Sequence, residues 1–479
     1  MEKELPKNWV ETSPKNISEI IRGVSYSKDD AFQEEFENSC LILRGGNVQD
    51  GNVVEGKDNV YVDCKYIKKE QLVRESDVLI VGSTGSKQLI GKAATIREDN
   101  ELISFGAFLM ILRAHKKING WYFSYYFQTD FYRESIRNLA GGVNINNIRK
   151  EYIENLVFPL PPLTEQNRIV AKLDSLFAQL ESIKTSMAKI PVLLKNFRQQ
   201  VLTQAVTGKL TEEWRKGKNL ESIEKNFHKN PKGDLLKFIK EFGLNVIVDD
   251  SNWVETNFFN LCVLKRGFDL PSYKRDTDGK YPIASSSGVK SFHTDFNAEN
   301  GIVVGRSGSV GKVFYIKEKF WPLNTTLYSE NFNNNYPKYV YYFFLTFNFE
   351  YYSSSTAVPT LNRNNFITEK ISIPPLEEQK EIVSRVESLF AKADAIEEKY
   401  KNLKAKIETL PQTILHKAFK GELTEQLETD GDARVLLEEI VALKNGEKPK
   451  KVVSKKYLQP DEEVLRIVAE ESTSYPRYQ

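Results

Sequence analysis

Between residues 169 and 201 the apolar positions advance in steps that alternate four and three: Ile169, Leu173, Leu176, Leu180, Ile183, Met187, Ile190, Leu194, Phe197 and Val201. A stripe this narrow predicts the seam of a coiled coil rather than the broad face of a globular helix. The pattern returns 213 residues later as Ile382, Val386, Leu389, Ala393, Ile396, Tyr400, Leu403, Ile407, Leu410 and Ile414. Pro161-Pro162 and Pro374-Pro375 precede the two runs, and Gly208 and Gly421 follow them, as expected for helix starts and stops. Two helical rods are therefore predicted, each the obvious partner of the other. Pro191 and Pro411 fall inside the pattern. Each is expected to bend its rod by removing a backbone donor. Thr164 to Ala205 covers 42 residues, about 60 Å of helix at 1.5 Å per residue.

The rods belong to a longer duplication. Residues 161–212 and their counterparts 213 further on share 19 identities in 52 positions without a gap, including PPL, EQ, SLFA and G-LTE. Asn8-Trp9-Val10-Glu11-Thr12 reappears at Asn252 to Thr256, and YFSYYFQT from Tyr122 resembles YVYYFFLT from Tyr339. A repeat this long excludes a solenoid and implies one module used twice. The predicted order is a globular unit over 1–160, a rod over 161–213, a polar linker over 214–250, a second globular unit over 251–373, a rod over 374–426 and a tail over 427–479. The first unit is about 30 residues longer than the second, because the offset falls from 244 to 213 across it. Fixed ends around a variable middle suggest one scaffold carrying different loops, where binding residues usually lie.

The globular units read as mixed α/β. Val78-Leu79-Ile80-Val81 and Ile302-Val303-Val304 are short apolar runs that end in glycine, as buried strands feeding tight loops do. The loops that follow supply candidate nucleic-acid contacts: Ser83, Thr84, Lys87 and Lys92 in the first unit, and Arg306, Ser307, Ser309 and Lys312 in the second. Glycine, hydroxyl and basic residues together suit phosphate approach and base-edge contact. Arg44 and Asn47 in LRGGN, Ser286 and Lys290 in SSSGVK, and Asn324 in WPLNTT extend the set. Competing readings are plain strand-connecting turns and a nucleotide-phosphate loop, although Ala93 and Val313 break the GxxxxGK[ST] pattern. The Tyr and Phe clusters at 122–127 and 339–344 are expected to be core helix rather than base-stacking platforms.

Composition narrows the class. The chain has 479 residues, 40% hydrophobic and 28% charged, enough for two cores, and no apolar run of membrane-spanning length. A soluble, cytoplasmic protein is expected, with Cys40, Cys64 and Cys262 as scattered reduced thiols and no zinc site. A net charge of +2 argues against coating nucleic acid by bulk charge. No HExxH, GxSxG, Asn-Pro-Pro-Tyr or Walker pattern occurs, so a non-catalytic adaptor without metal or cofactor of its own is expected.

On these words the chain resembles the specificity subunits of type I restriction-modification systems. The resemblance rests on SDVLIVGSTGS, GIVVGRSGSVGKV, KFWPLNTTLY, the approaches to PLPPL and SIPPL, and above all EQxxIV, SLFA and L..A..G.LTE. It implies two target-recognition domains that read the halves of a split double-stranded DNA site. It also implies an antiparallel coiled coil that sets their spacing and docks two modification subunits. Those partners would bring S-adenosylmethionine and methylate adenine, and restriction subunits would bring ATP- and Mg-dependent translocation and cleavage. Glu165, Gln166, Phe177, Glu378, Gln379 and Phe390 are the candidate partner contacts on the rods. The first unit lacks the RSG and KFWPLN wording of the second, so different half-sites are expected. The alternatives are the specificity subunit of a two-chain enzyme outside type I, and a coiled-coil scaffold without DNA readout.

Overall fold

A computed structural model describes residues 4–49, 51–56, 59–84, 89–140, 147–227, 229, 231–243, 245–275, 279–354 and 359–446. The first rod begins as the helix Leu163–Met187, stops at Ala188-Lys189 and resumes as Ile190–Val206. Pro191 thus stands at the second position of a new helix, where a missing N–H costs little, instead of kinking an old one. The second rod is one helix, Leu376–Phe419, and continues through Pro411 without a break. Gly208 and Gly421 adopt φ of 74° and 69°, the left-handed conformation that closes each rod.

One row of the heptad pattern is buried, as Leu173, Leu180, Met187, Leu194 and Val201 in the first rod and Val386, Ala393 and Ile407 in the second. The other row is half-exposed mid-rod at Ile183, Ile396, Leu403 and Leu410. The seam expected from spacing is therefore only partly covered.

The chain forms two compact units, one comprising the chain up to Ile183 with the stretch from Lys406 onward, the other Lys184–Ala405. Each unit holds part of both rods. In the first, Ile169, Val170 and Leu173 share a core with Leu415, Ala418 and Phe419; in the second, Val201, Leu202 and Ala205 share one with Ile382, Val383 and Val386. The rods of the second unit run in opposite directions: Arg198 pairs with Asp394 (2.6 Å) and Glu397 (2.9 Å), while Arg385 donates to the carbonyl of Leu210 at 3.0 Å.

Both units carry the same four antiparallel strands in the same order. In the first these are Ser18–Arg22, Leu109–Ala114, Val78–Val81 and Ala93–Thr95; in the second, Val263–Arg266, Thr326–Asn331, Ala298–Gly305 and Val313–Pro322. Val78–Val81 and residues 302–304 are fully buried, as their unbroken apolar runs predict. Beyond this frame the units diverge. The first adds Gly51–Val53 and Val48–Gln49 to its sheet and builds a separate sheet from Val60–Asp63, Ser39–Leu43 and Ile103–Phe105; the second adds the hairpin Tyr281–Ser285 and Gly288–His293 to its sheet. The aromatic clusters lie in the helices Gly120–Tyr126 and Pro337–Phe344, whose Tyr122, Phe123, Tyr339 and Phe344 are buried core. The helix Gly233–Phe242 in the polar linker seals Leu235 and Phe238 against Phe259, Val263 and Ile367 of the second unit. The basic stretch 448–456 lies outside the described residues.

The repeated words meet at one buried knot in each unit. Glu165 accepts from the indole of Trp9 (2.8 Å), from Gln426 (2.9 Å) and from Thr424 (3.3 Å). Glu378 accepts from the indole of Trp253 (2.9 Å), Thr211 (2.7 Å) and Arg215 (2.8 Å). Thus the Trp of NWVET and the Thr of LTE satisfy one carboxylate that opens each rod, and a buried carboxylate requires such partners. Gln166 is held by the amide of Asn119 and the carbonyl of Pro161, Gln379 by the amide of Tyr336, Asn335 and the carbonyl of Pro374. Arg168 forks onto Asp430 at 2.5 and 2.6 Å. Burial raises the Asp430 carboxyl pKa, but hydrogen bonds from Arg168, the Leu427 amide and Thr164 outweigh it and leave the group below the usual carboxylate range.

This corrects two expectations. Glu165, Gln166, Glu378 and Gln379 are fully enclosed and spent inside the chain, so they offer no surface to a partner. Phe177 and Phe390 are partly buried on Tyr125 and Tyr342, with ring centroids 5.7 and 5.9 Å apart. Furthermore, Cys40 and Cys64, expected as separate thiols, are joined as a disulfide because pairing of Ser39–Leu43 with Val60–Asp63 brings them together; Cys262 is free and buried.

Candidate nucleic-acid interface

The strand-glycine junctions are held by one backbone device in both units. In the first, the carbonyl of Phe108 accepts the amides of Gly82 (2.9 Å) and Ser83 (3.0 Å), and the amide of Ile148 donates to Gly82 at 2.8 Å. In the second, the carbonyl of Thr325 accepts the amides of Arg306 (2.8 Å) and Ser307 (3.2 Å), and the amide of Leu361 donates to Arg306 at 2.8 Å. A glycine permits the approach of the neighbouring turn in each: a Cβ on Gly23 would stand 2.1 Å from the carbonyl of Gly106, and one on Gly267 2.2 Å from that of Leu323. Gly23 and Gly267 keep the same offset of 244 as NWVET. That shared glycine was a sequence signal for the frame.

On this frame the first unit opens a cleft of about 1160 Å³, lined among others by Tyr26, Lys28, Arg44, Ser83, Thr84 and Phe108. Arg44 is exposed in it. Asn47 also lines the cleft, but its side chain accepts from the Arg44 amide (2.8 Å) and donates to the Val54 carbonyl (2.8 Å). It shapes the loop, which leaves its amide poorly placed for base reading. Lys92 stands at the start of the next strand's approach, where its carbonyl accepts the Val81 amide, and does not line the cleft. Lys87 lies outside the described residues.

In the second unit the loops of Ser286 and Arg306 to Ser309 converge, since a Cβ on Gly308 would lie 3.3 Å from the Ser286 hydroxyl. Arg306 reaches the carbonyl of Asn324 at 3.4 Å. The Asn324 amide donates to Asp269, and Asp269 also faces Arg266 at 3.7 Å. Asn324 is therefore engaged within the chain, and Asp269 is a carboxylate that sequence reasoning missed. Lys312 is exposed beyond the loop, and Lys290 is exposed on the edge strand Gly288–His293. Tyr26, Lys28 and Phe108 were missed as well. Only Phe108, an apolar residue in a Gly-Ala turn, carried a visible signal.

This arrangement presents guanidinium, hydroxyl and backbone groups on rigid strand ends, which suits positioning on phosphates and contact with base edges. Among the described residues no group of three or more His, Cys, Asp or Glu is placed to hold a metal ion, and no helix is long and apolar enough to cross a membrane.

A family model described as the type I restriction modification DNA specificity domain matches residues 6–192 and 250–407. The chain is 31% identical over 494 residues to the type I restriction enzyme EcoKI specificity subunit of Escherichia coli (strain K12), covering 95% of this chain and 99% of the relative. It is 32% identical over 466 residues to the StySPI specificity subunit of Salmonella potsdam, covering 92% and 96%. Among solved structures, the HsdS subunit from Thermoanaerobacter tengcongensis superposes with a TM-score of 0.60 at 16% identity, over 88% of this chain and 99% of that one. The last likeness bears on the fold.

Proposed function

Because this chain belongs to the type I restriction-modification DNA specificity family, we propose that it reads a split DNA site, each unit recognising one half, and directs adenine methylation and restriction by partner subunits. The observation that carries this reading is the pairing of one shared strand frame with two unlike sets of loops, in a chain the family model matches in both halves. In this reading the chain contributes no bond-breaking chemistry. Modification subunits supply S-adenosylmethionine-dependent methyl transfer, and restriction subunits supply ATP-driven cleavage.

Co-expression with a modification subunit and genome-wide mapping of methylated adenine should yield one bipartite motif. In the assembled complex, Arg44→Ala should weaken or relax one half of that motif and Arg306→Ala the other. Removing a hydrogen bond to a base edge costs about 1–3 kcal/mol at that position, whereas removing one to a phosphate weakens all sequences alike and lowers the salt slope by about one. A single undivided motif, or one unaffected by either change, would sink the assignment of halves to units.

With the EQ residues enclosed, partner docking falls to the apolar side chains the rods leave open. In the second unit these are Val192, Leu193, Ile396 and Leu403. Each forgoes burial that a partner helix would supply. The double variant Leu193→Glu, Leu403→Glu should abolish co-elution with the modification subunit while shifting the chain's own stability by no more than about 0.5 kcal/mol, as exposed substitutions do. Unchanged co-elution would place docking elsewhere.

A further inference from the structure

Phe108 is left 71% exposed in the turn that joins the buried Phe105 and Leu109. The Phe108 carbonyl is clamped by the two amides of Gly82 and Ser83. The backbone is thus rigid while the ring stands in water, lining the same cleft as Lys28, Arg44, Ser83 and Thr84. A polar turn residue would satisfy the clamp equally well, because only the carbonyl takes part. The second unit demonstrates this: Thr325 makes the same two bonds and carries no ring.

From this geometry we propose that Phe108 is an apolar wedge that enters between base pairs of the half-site read by the first unit, unstacking one step, while the second unit has no such wedge at the equivalent place. The inference rests on the DNA-reading function above. Proteins that insert Phe, Leu or Met between base steps kink the duplex and bury the side chain that was exposed. Pyrimidine-purine steps unstack most readily, so the wedge selects sequence at a step where no hydrogen bond is made. The basic and hydroxyl groups beside the ring hold the backbone while the base step opens.

The test uses the assembled methyltransferase complex and duplexes that carry its mapped methylation site. Adenines are replaced one at a time by 2-aminopurine, omitting the methylated adenine, because modifying enzymes turn their target base out of the stack. Bound wild-type complex should brighten one position in the first unit's half-site and show no wedge-dependent signal in the second's. Phe108→Ala should abolish that signal and weaken binding about tenfold, about 1.4 kcal/mol, without lowering the thermal unfolding temperature. Phe108→Leu should retain most of both, since leucine still wedges. Brightening that persists in Phe108→Ala, or none in a wild-type complex that binds and methylates, overturns the wedge and spares the DNA-reading function. Failure of the wild-type complex to bind the mapped site overturns both.

Discussion

Replacing Glu378 with alanine is expected to destabilise the second unit by about 3 kcal/mol or more, the scale of breaking a buried charge pair from one side. The indole N–H of Trp253, the hydroxyl of Thr211 and the guanidinium of Arg215 all end on this carboxylate, so its loss strands three donors at once. Unsatisfied buried donors cost more than a hydrogen bond contributes when made. Glu378→Gln should fall between: its amide oxygen can still accept from Thr211 and Arg215, which share one carboxylate oxygen, but its NH2 group then faces the indole N–H of Trp253. The corresponding Glu165→Ala should cost less, because Thr424, Gln426 and Trp9 are neutral partners. Urea unfolding of the three variants checks the order. A loss below about 1 kcal/mol for Glu378→Ala would show that water or side-chain rearrangement relieves the knot.

Inserting seven residues into both rods should change the recognised sequence in its spacer alone. The passages from one unit to the other are helical, through Ile183-Lys184 in Leu163–Met187 and through Ala405-Lys406 in Leu376–Phe419. A heptad placed at both points keeps the buried row of the pattern in phase and adds about 10 Å of helix at 1.5 Å per residue. That length corresponds to about three base pairs at 3.4 Å each. Methylation mapping should therefore return the same two half-sites with a spacer longer by about three. Four residues inserted into the first rod only should rotate its row out of phase and reduce the yield of active complex. An unchanged spacer with full methylation after the paired insertion would demote the rods from a ruler to stabilisers.

Much of this was legible along the chain because it is written locally. Steps of four and three mark a helical stripe wherever they occur, and the unbroken apolar runs at Val78–Val81 and 302–304 mark buried strands whatever lies beside them. The duplication was equally plain. The candidate site was less so. Arg44, Ser83, Thr84, Arg306 and Ser286 were found on the strand ends where glycine and basic residues placed them, but Asn47 and Asn324 are drawn into hydrogen bonds of the chain's own loops.

The two rods, the twofold repetition and the strand-glycine junctions could thus be read from residue order, since each depends on spacing within one stretch of backbone. The destination of the repeated carboxylates could not. Glu165 and Glu378, expected as partner contacts on the rods, are each enclosed by residues from 125 to 261 positions away. Whether a polar group is buried depends on which distant donors can reach it, and no local pattern encodes that. The same reason accounts for Cys40 meeting Cys64 through strand pairing, and for Phe108, whose carbonyl accepts the amides of Gly82 and Ser83 from the end of another strand while its ring stays exposed.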